Sequence, residues 1–331
     1  MKRKTLLTRI VGTLALPVAM YLIMMILCYS NGKMYFGTWN MWKTLIVDIG
    51  LSLTCAMGIG LQFKCGRFDF SGGAVMLMSA IIAGNIARSM DSSVFMMTVL
   101  CIVCCLVLSL LVALFYVYGR IPIVISTIGF ALLYESLTCL IFQGRGINLV
   151  SNMTLRVYYT YPYVLIPMVI GIALYAFYSY CTVSGKQSQL LANNQQAAVN
   201  IGVKEKKNVI VSYVFSGLIF GMATLIYIAN GQHRGAYSSM ATVGELFTNI
   251  LPVFIGLIIS GFCGDTIGII VGSLSLCLMS YGLKAVYSDE LGAAISTICM
   301  GVFILLINVI GSQGGKVGKL FAKKRKGGAE Q

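Results

Sequence analysis

The sequence predicts an all-α, polytopic membrane bundle of about ten transmembrane segments, with both termini on the cytoplasmic side. Three observations predict it. Of the 331 residues, 58% are hydrophobic and 10% charged, whereas a water-soluble domain carries about 25% charged residues. The apolar residues fall in blocks of roughly 20, the helix length needed to cross a bilayer. Lys and Arg gather at the two ends and in short connectors, as in chains oriented by positive charge on the cytoplasmic side.

Taken in order, the apolar segments run over residues 10–29, 43–63, 70–88, 93–118, 121–142, 162–181, 209–230, 245–263, 265–285 and 291–310. Hydrocarbon cannot satisfy an open backbone, so segments of this length read as helices. The first begins with the basic stretch Met1–Lys4, but its apolar run Ile10–Cys28 exceeds the about 7–15 residues of a signal-peptide core. No small-x-small cleavage site follows, and it reads as an uncleaved anchor. The pairs 43–63/70–88 and 245–263/265–285 are each joined by a Gly-rich turn, where a broken or re-entrant helix fits. With the amino terminus inside, ten crossings place 17 Lys and Arg on the cytoplasmic side and 7 outside, in keeping with the positive-inside rule. The basic tail, 312–331, reads as an anchor near anionic lipid.

Several function classes are excluded. A formal charge of +14 could suggest nucleic acid, but no DNA- or RNA-binding motif accompanies it. Most of the eleven cysteines lie inside apolar blocks, where free Cys behaves as a small hydrophobe; Cys101 and Cys104 have redox spacing but no nearby His or carboxylate. The single histidine, His233, rules out a His-based metal site, and no metal ligand set is expected. Gly311–Lys316 has the wrong spacing for a phosphate loop, with Val317 where Ser or Thr would hold magnesium.

The longest predicted cytoplasmic connector is Thr182–Asn208. Within it Asn193, with Gln196 three residues on, has the form of a capping box, and Gly202 can end the helix that follows. A helix over 194–201 would set Ala197, Ala198 and Ile201 on one small apolar face. Two turns are too few for independent stability, so this helix packs on its own bundle or on a partner.

The run Gly185–Val203, with Asn193, Asn194, Gln195, Gln196, Ala197, Ala198 and Gly202, resembles the cytoplasmic coupling segment of ribose-type ABC permeases. Asn193 stands where that pattern, G-x-N-x-x-A-A-x-x-x-G-I/V, has its first Gly. Arg67-Phe68-Asp69-Phe70-Ser71-Gly72-Gly73 is similar to the family's G-I-D-L-S-V-G segment, with Arg67 and Phe68 replacing Gly-Ile. Ile121–Gly129 resembles the start of the fifth helix, Glu135-Ser136 departs from its later Arg-Gly pair, and 255–272 resembles a Gly-rich stretch with several glycines missing. The resemblance spans roughly 45–310. It implies that 1–331 is a single permease domain in a multi-pass cell membrane protein, with a coupling loop at 182–208. It further implies two ABC ATPase subunits, an extracellular substrate-binding protein and a second permease subunit as partners. ATP and magnesium would be bound by the ATPase, leaving no cofactor in this chain and no enzymatic activity of its own. The implied substrate is a monosaccharide of the ribose or galactose type, with nucleosides carried by related importers.

Five residues are candidates for the substrate pathway: Asp69, Ser71, Asn85, Glu135 and Asn249. Asp69 and Ser71 read either as shaping a broken helix on the path or as N-caps. Glu135 lies deep in segment 121–142, where an ionisable group costs roughly 2.5–3.5 kcal/mol and so faces a polar cavity or a partner. An ATP-independent transporter or channel would use Glu135 and Asp48 as ion-coupling groups. Gly217 and Gly221, and Gly264, Gly268 and Gly272, fall at four-residue spacing, which brings helix backbones close.

Overall fold

A computed structural model describes residues 6–230, 233–287, 290–299, 301, 302 and 305. The basic amino-terminal start, Gln232 and the tail 312–331 lie outside the described residues.

The helices are α1 (Leu6–Ser30), α2 (Trp39–Lys64), α3 (Gly72–Ser89), α4 (Val94–Gly119), α5 (Ile123–Leu140), α6 (Leu165–Ala176), α7 (Val183–Asn193), α8 (Gln195–Asn200), α9 (Glu205–Ala229), α10 (Ala241–Cys263), α11 (Asp265–Val286) and α12 (Glu290–Cys299). Eight of them, α1 to α5 and α9 to α11, are long and apolar enough to cross a membrane. The sixth expected segment, 162–181, holds α6, whose 12 residues continue through a five-residue π-turn at Phe177–Cys181. There the chain bends by 73° into α7, whose polar sequence VSGKQSQLLAN suits a helix lying across the end of the bundle. The expected tenth segment, 291–310, is described mainly through α12.

Burial follows from sequence. Small and apolar residues alternate along α2 and α9, and these two helices form the centre. The largest clusters join Cys55, Val75, Val112, Tyr134 and Phe220 on one side and Met24, Leu251 and Leu278 on the other. Large apolar side chains stay exposed along α1 and the outer faces of α4 and α5, among them Val11, Ile26, Phe115 and Ile125; lipid is the solvent that tolerates them. Tyr21, Tyr35, Phe36 and Tyr281 stack at one end of α1 and α11, as aromatic side chains do at a membrane interface.

Two interruptions shape the bundle. Between α2 and α3 the chain leaves the helix at Cys65 and Gly66 and runs through Arg67–Ser71. Between α10 and α11 it turns at Gly264, whose φ of +92° no side-chain-bearing residue adopts without strain. Lys64 Nζ and Asp265 Oδ2 lie 2.9 Å apart, with side chains 8% and 18% exposed, so an ion pair ties one interruption to the other.

Candidate functional site

The connector expected to couple to a partner is mostly helical. The Thr182 hydroxyl starts α7 by accepting the Gly185 N–H at 2.9 Å. Asn194, with extended φ of −158°, starts α8 by accepting the Ala197 N–H at 3.0 Å. The cap is therefore one residue later than the sequence pattern places it: Asn193 closes α7 instead. An N-cap needs extended backbone, and Asn193 is still helical. Gln195 Nε2 donates to Glu205 Oε1 at 2.6 Å and ties α8 to the first turn of α9.

The other end of α8 is a complete Schellman motif. The Val203 N–H bonds to the Ala198 carbonyl at 3.1 Å and the Gly202 N–H to the Val199 carbonyl at 2.9 Å. Gly202 takes φ of +95°. Leu191, Ala198 and Val203 form a small core beneath the helix. Of Ala197, Ala198 and Ile201, placed on one small apolar face by the sequence, only Ala198 packs on the bundle. Gln196 and Ala197 are exposed, and Val199 and Ile201 are 43% and 72% exposed. A six-residue helix capped at both ends thus presents apolar side chains outward at a polar end of the bundle.

Beneath α7 lies the α2–α3 connector. Cys65 Sγ bonds to Ser188 Oγ at 3.1 Å, and a Cβ on Gly66 would stand 3.0 Å from the Ala192 Cα, so the two backbones touch. Arg67 is 5% exposed. Its Nη1 and Nη2 donate to Ser212 Oγ and Asn208 Oδ1, each at 2.9 Å. A cavity of about 210 Å³ separates this connector from Asn193, Asn194 and Gln195.

Asp69 and Ser71 sit farther along. Asp69 Oδ1 accepts the Ser71 N–H at 2.8 Å and the Ser71 hydroxyl at 2.6 Å, which fixes the turn into α3. That helix starts inside the bundle: Gly72 packs on the Phe220 ring, and Gly73 lies against the backbone of Thr242. Thr242 is the second residue of α10 and is buried, while Ala241 and Gly244 beside it are exposed, so the start of α3 packs on one face of the first turn of α10. Buried helix starts leave N–H donors that hydrocarbon cannot satisfy. Glu135 of α5, fully buried, supplies the acceptor: its Oε1 takes the Thr242 N–H at 2.9 Å and the Thr242 hydroxyl. Carboxylates are favoured there by the helix dipole as well. Its Oε2 is buried with no hydrogen-bond partner among the described residues.

Asn85 and Asn249 lie apart from this centre. Asn85 Nδ2 donates to the Ile81 and Gly146 carbonyls at 2.8 and 3.0 Å. It borders an open basin of about 680 Å³ with Arg88, Arg145, Asn148 and His233, at the opposite end of α3 from α7 and α8. Asn249 Nδ2 bonds to the Glu245 carbonyl one turn back at 3.0 Å. The structure does not bring the five pathway candidates into one pocket. It pairs Asp69 with Ser71, sets Glu135 on α10, and leaves the two asparagines separate. A cluster that the sequence reading missed stands beside them: Arg234 covers the Tyr227 ring at 3.8 Å and lies 3.6 Å from Glu245, which accepts the Tyr227 hydroxyl at 3.1 Å. These residues are spread over α9, a loop and α10, and no local pattern joins them.

The glycines divide by role. Cβ atoms on Gly217 and Gly221 would lie 3.0 and 2.9 Å from the Cα atoms of Leu106 and Ile102, so these two positions let α9 press on α4. Gly268 and Gly272 face the Gly256 and Pro252 carbonyls of α10. Gly264 is not on their face, as four-residue spacing implied; it is the α10–α11 turn itself. Among the described residues no cluster of three or more His, Cys, Asp or Glu is placed to hold a metal ion.

Comparison with known proteins accords with this architecture. A fructose import permease protein of Bifidobacterium longum is 23% identical over 315 residues, covering 89% of this chain and 90% of its own. A ribose import permease protein of Bacillus subtilis is 24% identical over 250 residues, covering 72% and 76%. The family described as branched-chain amino acid transport system / permease component matches residues 41–308. That match takes in the α2–α3 connector, α7, α8 and the starts of α3 and α10, and the chain belongs to this permease family.

Proposed function

We propose that the chain is the membrane-spanning subunit of an ATP-driven importer that moves a monosaccharide handed over by an extracellular binding protein. The observation that carries this reading is α8, a doubly capped helix that presents Val199 and Ile201 outward at a polar end of the bundle, a face a partner can cover. An ABC ATPase on the cytoplasmic face is that partner. The sugar class comes from the relatives, which are named for fructose and ribose import. The chain pairs with a second permease subunit, and ATP and magnesium bind in the ATPase.

In this mechanism closure of the ATPases presses on Asn193–Gly202. The α7–α8 unit rests on the 65–71 connector and on the foot of α9, so the push reaches the start of α3. Asp69 and Ser71 hold that start, and Glu135 holds the start of α10 beside it; their part in transport is to keep two helix ends in place around the path. Asn85, whose N–H groups are taken by two carbonyls, offers only its side-chain oxygen toward a sugar, and Asn249 its side-chain oxygen and remaining N–H.

The test is uptake by proteoliposomes carrying this chain with its ATPase and binding protein. Labelled fructose or ribose should accumulate only with ATP inside the compartment that the ATPase faces. Accumulation of a nucleoside under the same conditions would correct the substrate alone. Accumulation without ATP, abolished by Glu135→Gln, would overturn the reading in favour of an ion-coupled transporter.

A further inference from the structure

We infer that Arg67 is a positioning residue for energy coupling: its guanidinium makes the α2–α3 connector move as one body with α7, α8 and the foot of α9. This rests on the function proposed above. It concerns a position where the resembled family segment carries Gly, so it describes a feature particular to this chain.

A buried cation is tolerated only when its hydrogen bonds are well made. Arg67 forms no ion pair within 4.0 Å among the described residues. Its partners are instead two neutral groups one helical turn apart on α9, Asn208 Oδ1 and Ser212 Oγ, both at 2.9 Å. A planar guanidinium meets two such acceptors in a fixed orientation, which a flexible ammonium does not. With no carboxylate within 4.0 Å among the described residues, the guanidinium is oriented by these two hydrogen bonds.

The contacts continue on both sides. Asn208 is bonded at both ends of its amide: its Oδ1 accepts from Arg67, and its Nδ2 donates to the Ser184 carbonyl of α7 at 2.8 Å. Two residues before Arg67, Cys65 bonds to Ser188 of the same helix, whose hydroxyl also meets the Tyr178 hydroxyl at 2.9 Å. Two residues after it, Asp69 fixes the turn into α3. The connector is thus pinned to the coupling segment at one end and leads into a buried helix start at the other. Cys65 alone ties the connector to α7; the Arg67 fork adds a tie to the foot of α9 and, through Asn208, to Ser184 of α7, so that the three pieces are linked to one another.

Hydrogen exchange measured by mass spectrometry on the assembled transporter tests this, with no need to know the substrate. Nucleotide-free and ATP–vanadate-trapped complexes are compared. In the unaltered protein, trapping should change exchange at both 195–203 and 65–71. In Arg67→Gln and Arg67→Lys the response at 195–203 should remain, and the response at 65–71 should be lost. A retained response at 65–71 in these variants overturns the inference, as does its absence in the unaltered protein while 195–203 responds. No response at 195–203 in the unaltered protein would instead sink the proposed function, and this inference with it. Asn208→Ala and Ser212→Ala each remove one bond and should weaken the 65–71 response in the same way. If none of the four variants accumulates in the membrane, Arg67 serves folding and the inference is wrong.

Discussion

Glu135 on α5 accepts the backbone N–H of Thr242 at 2.9 Å and thereby satisfies the buried donor in the first turn of α10, 107 residues away in sequence. An ionised or ionisable group inside a membrane bundle commonly marks a pathway or a proton relay. Here the geometry gives it a structural task first, because a helix start without an acceptor would strand donors in an apolar interior.

Glu135→Ala should therefore cost stability. Removing the acceptor leaves the Thr242 N–H and hydroxyl buried and unpaired, worth about 1–3 kcal/mol. Glu135→Gln keeps a carbonyl acceptor and should cost less. Thermal unfolding of the purified variants in detergent reads the order; an Ala variant that melts with the parent protein contradicts the capping role.

The α4–α9 contact makes a second prediction. Gly217→Val or Gly221→Val drives side chains into the Leu106 and Ile102 backbone, a strain of about 1–3 kcal/mol in a packed interior. Gly244→Ala in α10, where nothing lies within 4 Å of the added Cβ, should be neutral or mildly stabilising. Melting temperatures of the three variants compare the sites directly.

The Lys64–Asp265 pair should behave as a coupled unit. Either Lys64→Ala or Asp265→Ala leaves a largely buried charge without its partner and should lower stability more than the double variant implies by addition. Pairs in contact show interaction energies of about 0.5–3 kcal/mol. A double-mutant cycle that closes with no interaction energy would detach the two helix interruptions from one another.

Much of this architecture was legible in the sequence, and the limits have physical reasons. Long apolar blocks separated by polar turns gave the bundle, since hydrocarbon leaves few alternatives to helices. The interruption near Asp69 and Ser71 was visible as a polar pair between apolar segments. The capped helix at 194–201 was visible too, but two adjacent asparagines made its start ambiguous by one residue, and only backbone φ separates Asn193 from Asn194. The exposure of Ile201 was not readable, because spacing on so short a helix does not say which residue docks. Contacts such as Glu135 with Thr242 or Arg67 with Asn208 join distant segments and leave no local trace. Gly264 shared its spacing with Gly268 and Gly272 yet does a different job, as a turn.

Capping of α8 gives a further prediction. Asn194→Ala removes the N-cap, worth about 1 kcal/mol, and Gly202→Ala forces a Cβ into a φ of +95°. Both variants should insert normally and show faster hydrogen exchange over 195–203, with reduced ATP-dependent uptake. Unchanged exchange in both would show that the caps do not hold this helix.

Co-purification of the ATPase with Val199→Asp and Ile201→Asp tests the central claim most directly. Both side chains point away from the chain's own core, so the variants should reach the membrane at the level of the parent protein. The account predicts that they lose the ATPase, and ATP-dependent uptake with it. Full retention of the ATPase by both variants would contradict it.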